Sequence, residues 1–343
     1  MHTHSHDMST SNLRVATLVT PRRQRVFEFR RFVLETFSCE WTDQRDQEQV
    51  VLDVAGGKGD LSWLLCNADH INAVIVDPRT SDHVKLERTA MWLYEHQEKD
   101  ISNLGPQGPL LHLKLIPPYQ RPHHLRVFFD ECLIETLVLV RTSCVDTSLS
   151  FEGFWKEANH RADTLPSVGH HQPCTTSKDE DDSRITDPSK AYILLAKATL
   201  LLGFHPDQAT DSIVDYALST NTPFAIVPCC LFTKIFIQRR LKSGQKVRNY
   251  DEYIQFLLEK DKRIRISDLK FYKEVNDDGD GGDGDGDAKS RDGLINYEVN
   301  EDAGNVINVN NNNERKGKRG GMRNNIIVGP RSTVLYMLRS DFT

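Results

Sequence analysis

The residues best suited to chemistry lie in the stretch Val50 to Leu65, VVLDVAGGKGDLSWLL. An apolar run, Val50-Val51-Leu52, leads through Asp53 and Val54 into Ala55-Gly56-Gly57-Lys58-Gly59, and Leu61, Trp63, Leu64 and Leu65 follow on a predicted helix. In a strand, glycine turn and helix of this kind, a backbone without Cβ atoms can approach a ligand. The first-turn N–H groups of the helix, which have no partners within it, then face that ligand. A second short strand is predicted over Ala73 to Val76 and ends in Asp77, at about the distance downstream where nucleotide-binding folds place an acid for the ribose.

Such a turn could serve a nicotinamide dinucleotide, a phosphate or S-adenosylmethionine (SAM). A dinucleotide site wants a third glycine three residues after Gly59, where Ser62 stands, and a phosphate loop wants Ser or Thr after the lysine, where Gly59 follows Lys58. The run Asp53-x-Ala55-x-Gly57-x-Gly59 instead resembles the acidic-x-Gly-x-Gly-x-Gly motif of class I SAM-dependent methyltransferases, with Ala55 in place of the first glycine. The resemblance implies that the backbone of Gly57 and Gly59 lies along the methionine portion of SAM, with Ala55 and Gly56 among the cofactor-binding residues of the same turn. It also implies that Asp53 supports the loop and that Asp77 binds the ribose hydroxyls. Without it, the same residues also suit an ordinary tight strand–helix turn with a structural aspartate.

Two further turns carry reactive side chains. The apolar run Thr199 to Phe204 ends in His205-Pro206-Asp207-Gln208, and the short apolar run Pro223 to Val227 ends in Pro228-Cys229-Cys230. In open α/β sheets ligands bind outside the carboxyl ends of the strands, so both turns are expected to share a cleft with the glycine turn. Methyl transfer from a sulfonium asks a protein mainly to align the acceptor, and sometimes to take its proton. On that reading His205 orients or deprotonates an acceptor, and Asp207 orients the substrate or His205. Otherwise Asp207 or Thr210 simply caps the next helix. Cys229 and Cys230 could supply a thiolate or a metal ligand, but adjacent cysteines alone chelate a tetrahedral zinc poorly, so two small groups lining the cleft are expected and no metal. Lys234, Arg239 and Arg240 follow closely and could neutralise a phosphate-bearing substrate.

A closer resemblance rests on VLDVAGGKGDLS, VDPR, LLGFHPDQAT, PFAIVPCCLF and GPRSTVLYML taken together. This combination is similar to a group of methyltransferase-domain proteins from fungi, algae and other microbial eukaryotes. More distantly, the GKGDLS run, the His205 turn and the Cys229-Cys230 pair are similar to acceptor-stem tRNA 2′-O-methyltransferases. Those relatives carry a His-Leu-Cys-Gly turn where this chain has His205-Pro206-Asp207-Gln208, and their zinc modules have no counterpart here. The resemblance implies SAM as cofactor and an RNA acceptor such as tRNA. A protein or small-molecule acceptor, a non-catalytic protein keeping the fold, and a nicotinamide-dependent oxidoreductase are the alternatives.

The elements that must position these residues follow in order. Arg22 to Phe37 places Val26, Phe29, Val33 and Phe37 on one helical face, with Arg22, Arg23, Arg25, Arg30 and Arg31 around it as a solvated face or a basic rim. After Asp77, Ser81 is a candidate N-cap for a helix through Leu86, Ala90 and Leu93. The third strand is sought at Leu110 to Ile116 or Val127 to Phe129, and Asp130 is a candidate contact for adenine. A helix through Ile213, Val214, Ala217 and Leu218 and one over Tyr250 to Leu258 capped by Asn249 precede strand candidates at Ile264 to Tyr272 and Ser332 to Leu338. The expected class is therefore α/β: a Rossmann-like class I methyltransferase with a mostly parallel sheet and a C-terminal antiparallel hairpin.

Residues 1–20 read as a disordered tail, with His2, His4 and His6 unaccompanied by further metal ligands. Residues 21–343 read as one domain, interrupted by low-complexity insertions at about 143–188 and 274–325. Within the second, Asp283, Asp285 and Asp287 fail as a calcium loop because Ala288 and Leu294 stand where glycine and glutamate are required. Lys316-Gly317-Lys318-Arg319 is a basic cluster in an exposed loop. The insertions account for a mean hydropathy of -0.50 beside 38% hydrophobic residues. A net charge of -6 argues against a protein that coats nucleic acid, while leaving room for a local basic groove. Seven cysteines, an odd number without a CxxC pair, suggest reduced thiols and a cytoplasmic or nuclear setting. The polar start and the lack of a long apolar stretch predict no secretory signal and no membrane span.

Overall fold

The computed structural model describes residues 16–19, 25–38, 49–81, 87–88, 91, 117–142, 148–165, 183–269, 272–274 and 332–342. The chain divides into two compact units, Met1–Pro21 with Lys270–Ser332, and Arg22–Leu269 with Thr333–Thr343. In the first, strand β1 (Ala16–Val19) pairs antiparallel with β8 (Tyr272–Glu274). A strand thus lies inside the stretch expected to be a tail. The N-terminal histidines, the Asp-Gly tract and the basic cluster at 316–319 fall outside the described residues.

The second unit holds a seven-stranded sheet in the order β4-β3-β2-β5-β6-β9-β7. Its strands are β2 (Val50–Val54), β3 (Ala73–Val76), β4 (His123–Leu125), β5 (Ala198–Phe204), β6 (Phe224–Val227), β7 (Arg265–Asp268) and β9 (Thr333–Met337). The pairs β4–β3, β3–β2, β2–β5 and β5–β6 are parallel, whereas β9 runs antiparallel to both β6 and β7. The sheet is therefore mixed, mostly parallel, with an antiparallel C-terminal part. Every residue of β2, β3 and β6 is buried, as the continuous apolar runs of a sheet covered on both faces require. Strand β7 lies at the edge and exposes Arg265, Ile266 and Asp268; its charges oppose further strand pairing.

Helices cover the sheet. They are α1 (Arg25–Thr36), α2 (Asp60–Ala68), α3 (Glu131–Thr142), α4 (Ser148–Asp163), α5 (Pro188–Ala196), α6 (Thr210–Thr220) and α7 (Tyr250–Leu258). Among the described residues no helix is long and apolar enough to cross a membrane. Val26, Phe29, Val33 and Phe37 are all buried, as the spacing predicts. Of the described arginines beside them, Arg30 is buried and its Nε donates to Asp69 Oδ2 at 2.7 Å, while Arg31 pairs with Glu28 and Glu35, so neither of these two stands as a free rim charge. Arg22 and Arg23 lie outside the described residues. Helix α7 begins in a capping box, with Asn249 accepting from Glu252 N–H and the Glu252 side chain accepting in return.

Two expectations need correction. The third strand is His123–Leu125 and not Val127–Phe129; Leu110–Ile116 and, apart from Glu87, Arg88 and Met91, the helix sought after Ser81 are not among the described residues. Its hydrophobic signal is masked by His124, which is fully buried yet satisfied: Nε2 donates to the Asp77 carbonyl at 2.9 Å and Nδ1 accepts from Ser81 Oγ at 3.2 Å. The stretch 143–188 is not wholly an insertion either, because it contains α4. Phe151, Trp155, Ala158 and Ala162 are buried at helical spacing, and Trp155 Nε1 donates to the Thr186 carbonyl at 3.0 Å. That apolar stripe docks the helix despite its polar flanks.

Candidate functional site

The carboxyl ends of β3, β2, β5 and β6 stand side by side, and chain order reverses between β2 and β5. At such a reversal the connections leave toward opposite faces, and a crevice opens beyond the strand ends. Four turns emerge along it: Asp77 to Arg79 after β3, Ala55 to Gly59 after β2, His205 to Asp207 after β5, and Pro228 to Cys230 after β6. The sheet thus lines up all four turns singled out in the sequence.

The glycine turn is tightly wound, with Ala55, Gly57 and Gly59 at φ values of 55°, 61° and 83°. Glycine adopts this left-handed region freely, whereas Ala55 does so at a cost. Gly56 sits directly on Asp53: a Cβ there would lie 2.7 Å from Asp53 Oδ2 and 2.9 Å from the Asp53 carbonyl oxygen. Asp53 is itself buried, and its Oδ2 accepts from Ser62 N–H at 3.2 Å and from Ser62 Oγ at 2.9 Å. Burial pushes its carboxyl up to about 7, against the pull of the two Ser62 hydrogen bonds. Asp53 therefore braces the turn from beneath and ties it to the first turn of α2.

Asp77 joins this turn to the next. Gly57 N–H donates to Asp77 Oδ2 at 2.9 Å, and the Arg79 guanidinium grips the same carboxylate, Nε to Oδ1 at 2.9 Å and Nη2 to Oδ2 at 2.8 Å. Arg79 N–H also donates to Oδ1 at 2.9 Å. The carboxylate is buried while Arg79 is 59% exposed. The hydrogen bonds to Asp77, more than any other influence, raise the pKa of Arg79; Asp207 across the crevice adds a smaller push in the same direction. Sequence reasoning passed over Arg79, although it stands in the VDPR run; its position two residues after a strand-end acid was the available signal.

On the other side of the crevice, His205 takes φ 57°, its N–H donates to the Val227 carbonyl at 3.2 Å, and its ring lies 4.4 Å from that of Phe204. Asp207 has φ 47° and opens a short 3-10 turn to Ala209. Neither Asp207 nor Thr210 caps α6 through its side chain. Instead Asp207 Oδ1 accepts from Cys229 Sγ at 3.1 Å, and the Asp207 carbonyl accepts from Thr210 Oγ1 at 2.9 Å. Burial and the adjoining Asp207 carboxylate both hold the Cys229 thiol far above its ordinary pKa, so alone it is no thiolate nucleophile. Cys230 is half-buried, and its Sγ, the Cys229 Sγ and an Asp207 carboxylate oxygen lie within 4.8 Å of one another.

Arg239 does not serve as a phosphate ligand. It is buried; Nε pairs with Asp211 Oδ2 at 2.8 Å, Nη1 donates to the Leu231 carbonyl, and the guanidinium is stacked against Phe236 and Tyr253. Arg240 donates to the carbonyls of Ile237 and Arg239 and stays exposed, as does Lys234. Asp130 is engaged locally, accepting from Leu133 N–H at the start of α3 and pairing with Arg161 at 2.8 Å. No family model, no curated protein and no solved structure matches the chain.

Proposed function

We propose that this chain is a SAM-dependent methyltransferase of the Rossmann-like class I type, acting on an RNA. The observation that carries the reading is the 2.9 Å hydrogen bond from Gly57 N–H to Asp77 Oδ2 at the edge where the strand order reverses. It links a strand-end acid suited to ribose hydroxyls to a backbone turn open to the ligand. In this reading Asp53, Ala55, Gly56, Gly57 and Gly59 shape the cofactor side and Asp77 receives the ribose. The antiparallel C-terminal pair agrees with the methyltransferase resemblance. Two features favour SAM over a dinucleotide: Ser62 is committed to Asp53, and exposed Asp60 opens α2 with a negative charge where a pyrophosphate would lie.

Bound there, SAM would supply a methyl group for in-line transfer to the acceptor. His205 orients the acceptor or takes its proton, Asp207 orients the substrate, and Cys229 and Cys230 border the cleft. A phosphate-bearing acceptor is supported by Leu231 to Asn249, which contains no acidic residue and exposes Lys234, Arg240, Lys242, Lys246 and Arg248. The free thiols of Cys66, Cys132, Cys229 and Cys230 suit a cytoplasmic or nuclear setting.

Calorimetric titration with S-adenosylhomocysteine tests the reading, with NADH as comparator and Asp77→Ala as control. Micromolar binding lost in the variant, with no response to NADH, is the expected result; a folded protein that binds only NADH overturns it. A second reading, a non-catalytic protein on the same fold, is favoured by Arg79 already filling the Asp77 carboxylate. Methyl incorporation into an RNA pool that disappears in His205→Ala or Asp207→Asn, with S-adenosylhomocysteine binding intact, excludes it. Transfer to protein or small molecules but not RNA would replace the acceptor while keeping the enzyme.

A further inference from the structure

Asp207, Cys229 and Cys230 come from two different strand ends, and the fold brings their ligand atoms to within 4.8 Å of one another. Adjacent residues on extended backbone point to opposite sides. The turn after β6 departs from that pattern and turns both sulfurs toward one carboxylate, which removes the objection that a Cys-Cys pair alone cannot hold a tetrahedral ion.

The surroundings hold this arrangement in place. Tyr250 Oη donates to the Pro228 carbonyl at 3.1 Å on one side of the cysteines, and Arg239 Nη1 donates to the Leu231 carbonyl on the other. Arg239 is in turn locked by Asp211, which also accepts from Tyr253 Oη at 2.9 Å. Thr210 Oγ1 fixes the Asp207 backbone. Outer contacts of this kind orient metal ligands and tune their affinity.

We propose that Asp207, Cys229 and Cys230 form a three-ligand site for a thiophilic divalent cation, zinc in the first instance, with a fourth position open to the crevice. Two sulfurs and a carboxylate oxygen suit zinc better than magnesium or calcium, which prefer all-oxygen shells. Zinc held by three protein ligands keeps one coordination place for water or an incoming heteroatom. Cys229 is buried and Asp207 exposed, so that place faces solvent on the Asp207 side. Loading displaces the thiol protons to solvent, and the Cys229–Asp207 hydrogen bond gives way to two bonds to the same ion. The site stands independently of the cofactor reading, because metal occupancy can be measured without SAM or acceptor.

The test is zinc content and affinity of the full chain, purified under reducing conditions and titrated against a chromogenic zinc chelator. One zinc per chain is expected. Cys229→Ser and Cys230→Ser should each weaken binding about 100-fold or more. Asp207→Asn keeps an acceptor for the Cys229 thiol but removes the anionic ligand, so it separates a hydrogen-bonding role from ligation; about a 10-fold loss or more supports ligation. Replacing His2, His4 and His6 by alanine should leave the zinc in place. Cobalt substitution should give a thiolate-to-metal charge-transfer band that disappears in Cys229→Ser. Zinc retained in the Cys229→Ser/Cys230→Ser double variant, no zinc in the wild type, or a Cys229–Cys230 disulfide under reducing conditions would each overturn the proposal.

Discussion

The guanidinium of Arg79 covers both carboxylate oxygens of Asp77, Nε to Oδ1 at 2.9 Å and Nη2 to Oδ2 at 2.8 Å. In the proposed function this is where ribose hydroxyls bind, so Arg79 must leave before they enter. Because Arg79 is 59% exposed, the pair is screened and worth little, about 1 kcal/mol or less. Arg79→Ala should therefore tighten S-adenosylhomocysteine binding by up to about 5-fold, an effect that shrinks as salt is added. Calorimetry at two ionic strengths checks this; weaker binding in the variant would show that Arg79 contacts the cofactor.

Asp53 makes stability depend on pH. Its folded pKa of about 7 lies above the ordinary carboxyl value of 3.8, so the native state holds its proton more tightly than the unfolded chain does. The resulting stabilisation is complete below about pH 4 and is lost as pH rises to about 7. At about 1.4 kcal/mol per pH unit this amounts to about 4 kcal/mol. Asp53→Asn keeps the acceptor for Ser62 and removes the titration. Urea unfolding between pH 4 and 8 should show a fall in the wild type that exceeds the variant's by about that amount; equal slopes would refute the assignment.

Gly56 and Gly153 should respond in opposite directions to alanine. A Cβ at Gly56 would strike Asp53 at 2.7 to 2.9 Å, backbone oxygen included, whereas nothing lies within 4 Å of one at Gly153 on α4. Gly56→Ala is expected to cost about 1–3 kcal/mol. Gly153→Ala is expected to gain about 0.5–1 kcal/mol through helix propensity and a less disordered unfolded chain. Denaturant midpoints of the two variants decide it.

Arg239 fastens the segment after β6, so its loss should appear in stability and not in cofactor binding. Arg239→Ala leaves Asp211 without its charge partner and removes the stacking on Phe236 and Tyr253, an expected cost of about 3–5 kcal/mol. S-adenosylhomocysteine affinity of the folded variant should stay within about 2-fold of the wild type. A phosphate ligand would behave oppositely, with stability kept and affinity for RNA lost.

Several parts of this protein could be read from local residue patterns. The apolar run, glycine turn and second apolar stretch from Val50 to Leu65 make β2, its turn and α2, the last buried from Leu61 through Asn67, because glycine freedom and continuous local hydrophobicity act within a few residues. The buried runs of β5 and β6 and the Asn249 cap of α7 were legible for the same reason. Where local patterns conflicted, the reading failed. His124 hid β4 because its ring is satisfied by Asp77 and Ser81, 47 and 43 residues away, and the polar flanks of α4 obscured the stripe through Trp155. The site itself was legible as separate turns, not as contacts. Strand order set Asp77 against Gly57 across 20 residues and Asp207 against Cys229 across 22. A sequence determines which side chains each turn carries by short-range sterics and burial, but pairings between turns arise only when parallel strands lie side by side and align their carboxyl ends. Asp53 and Asp77 differ in the same way: both are strand-end acids in the sequence, and only packing turned one beneath the loop toward Ser62 and the other onto Gly57 and Arg79.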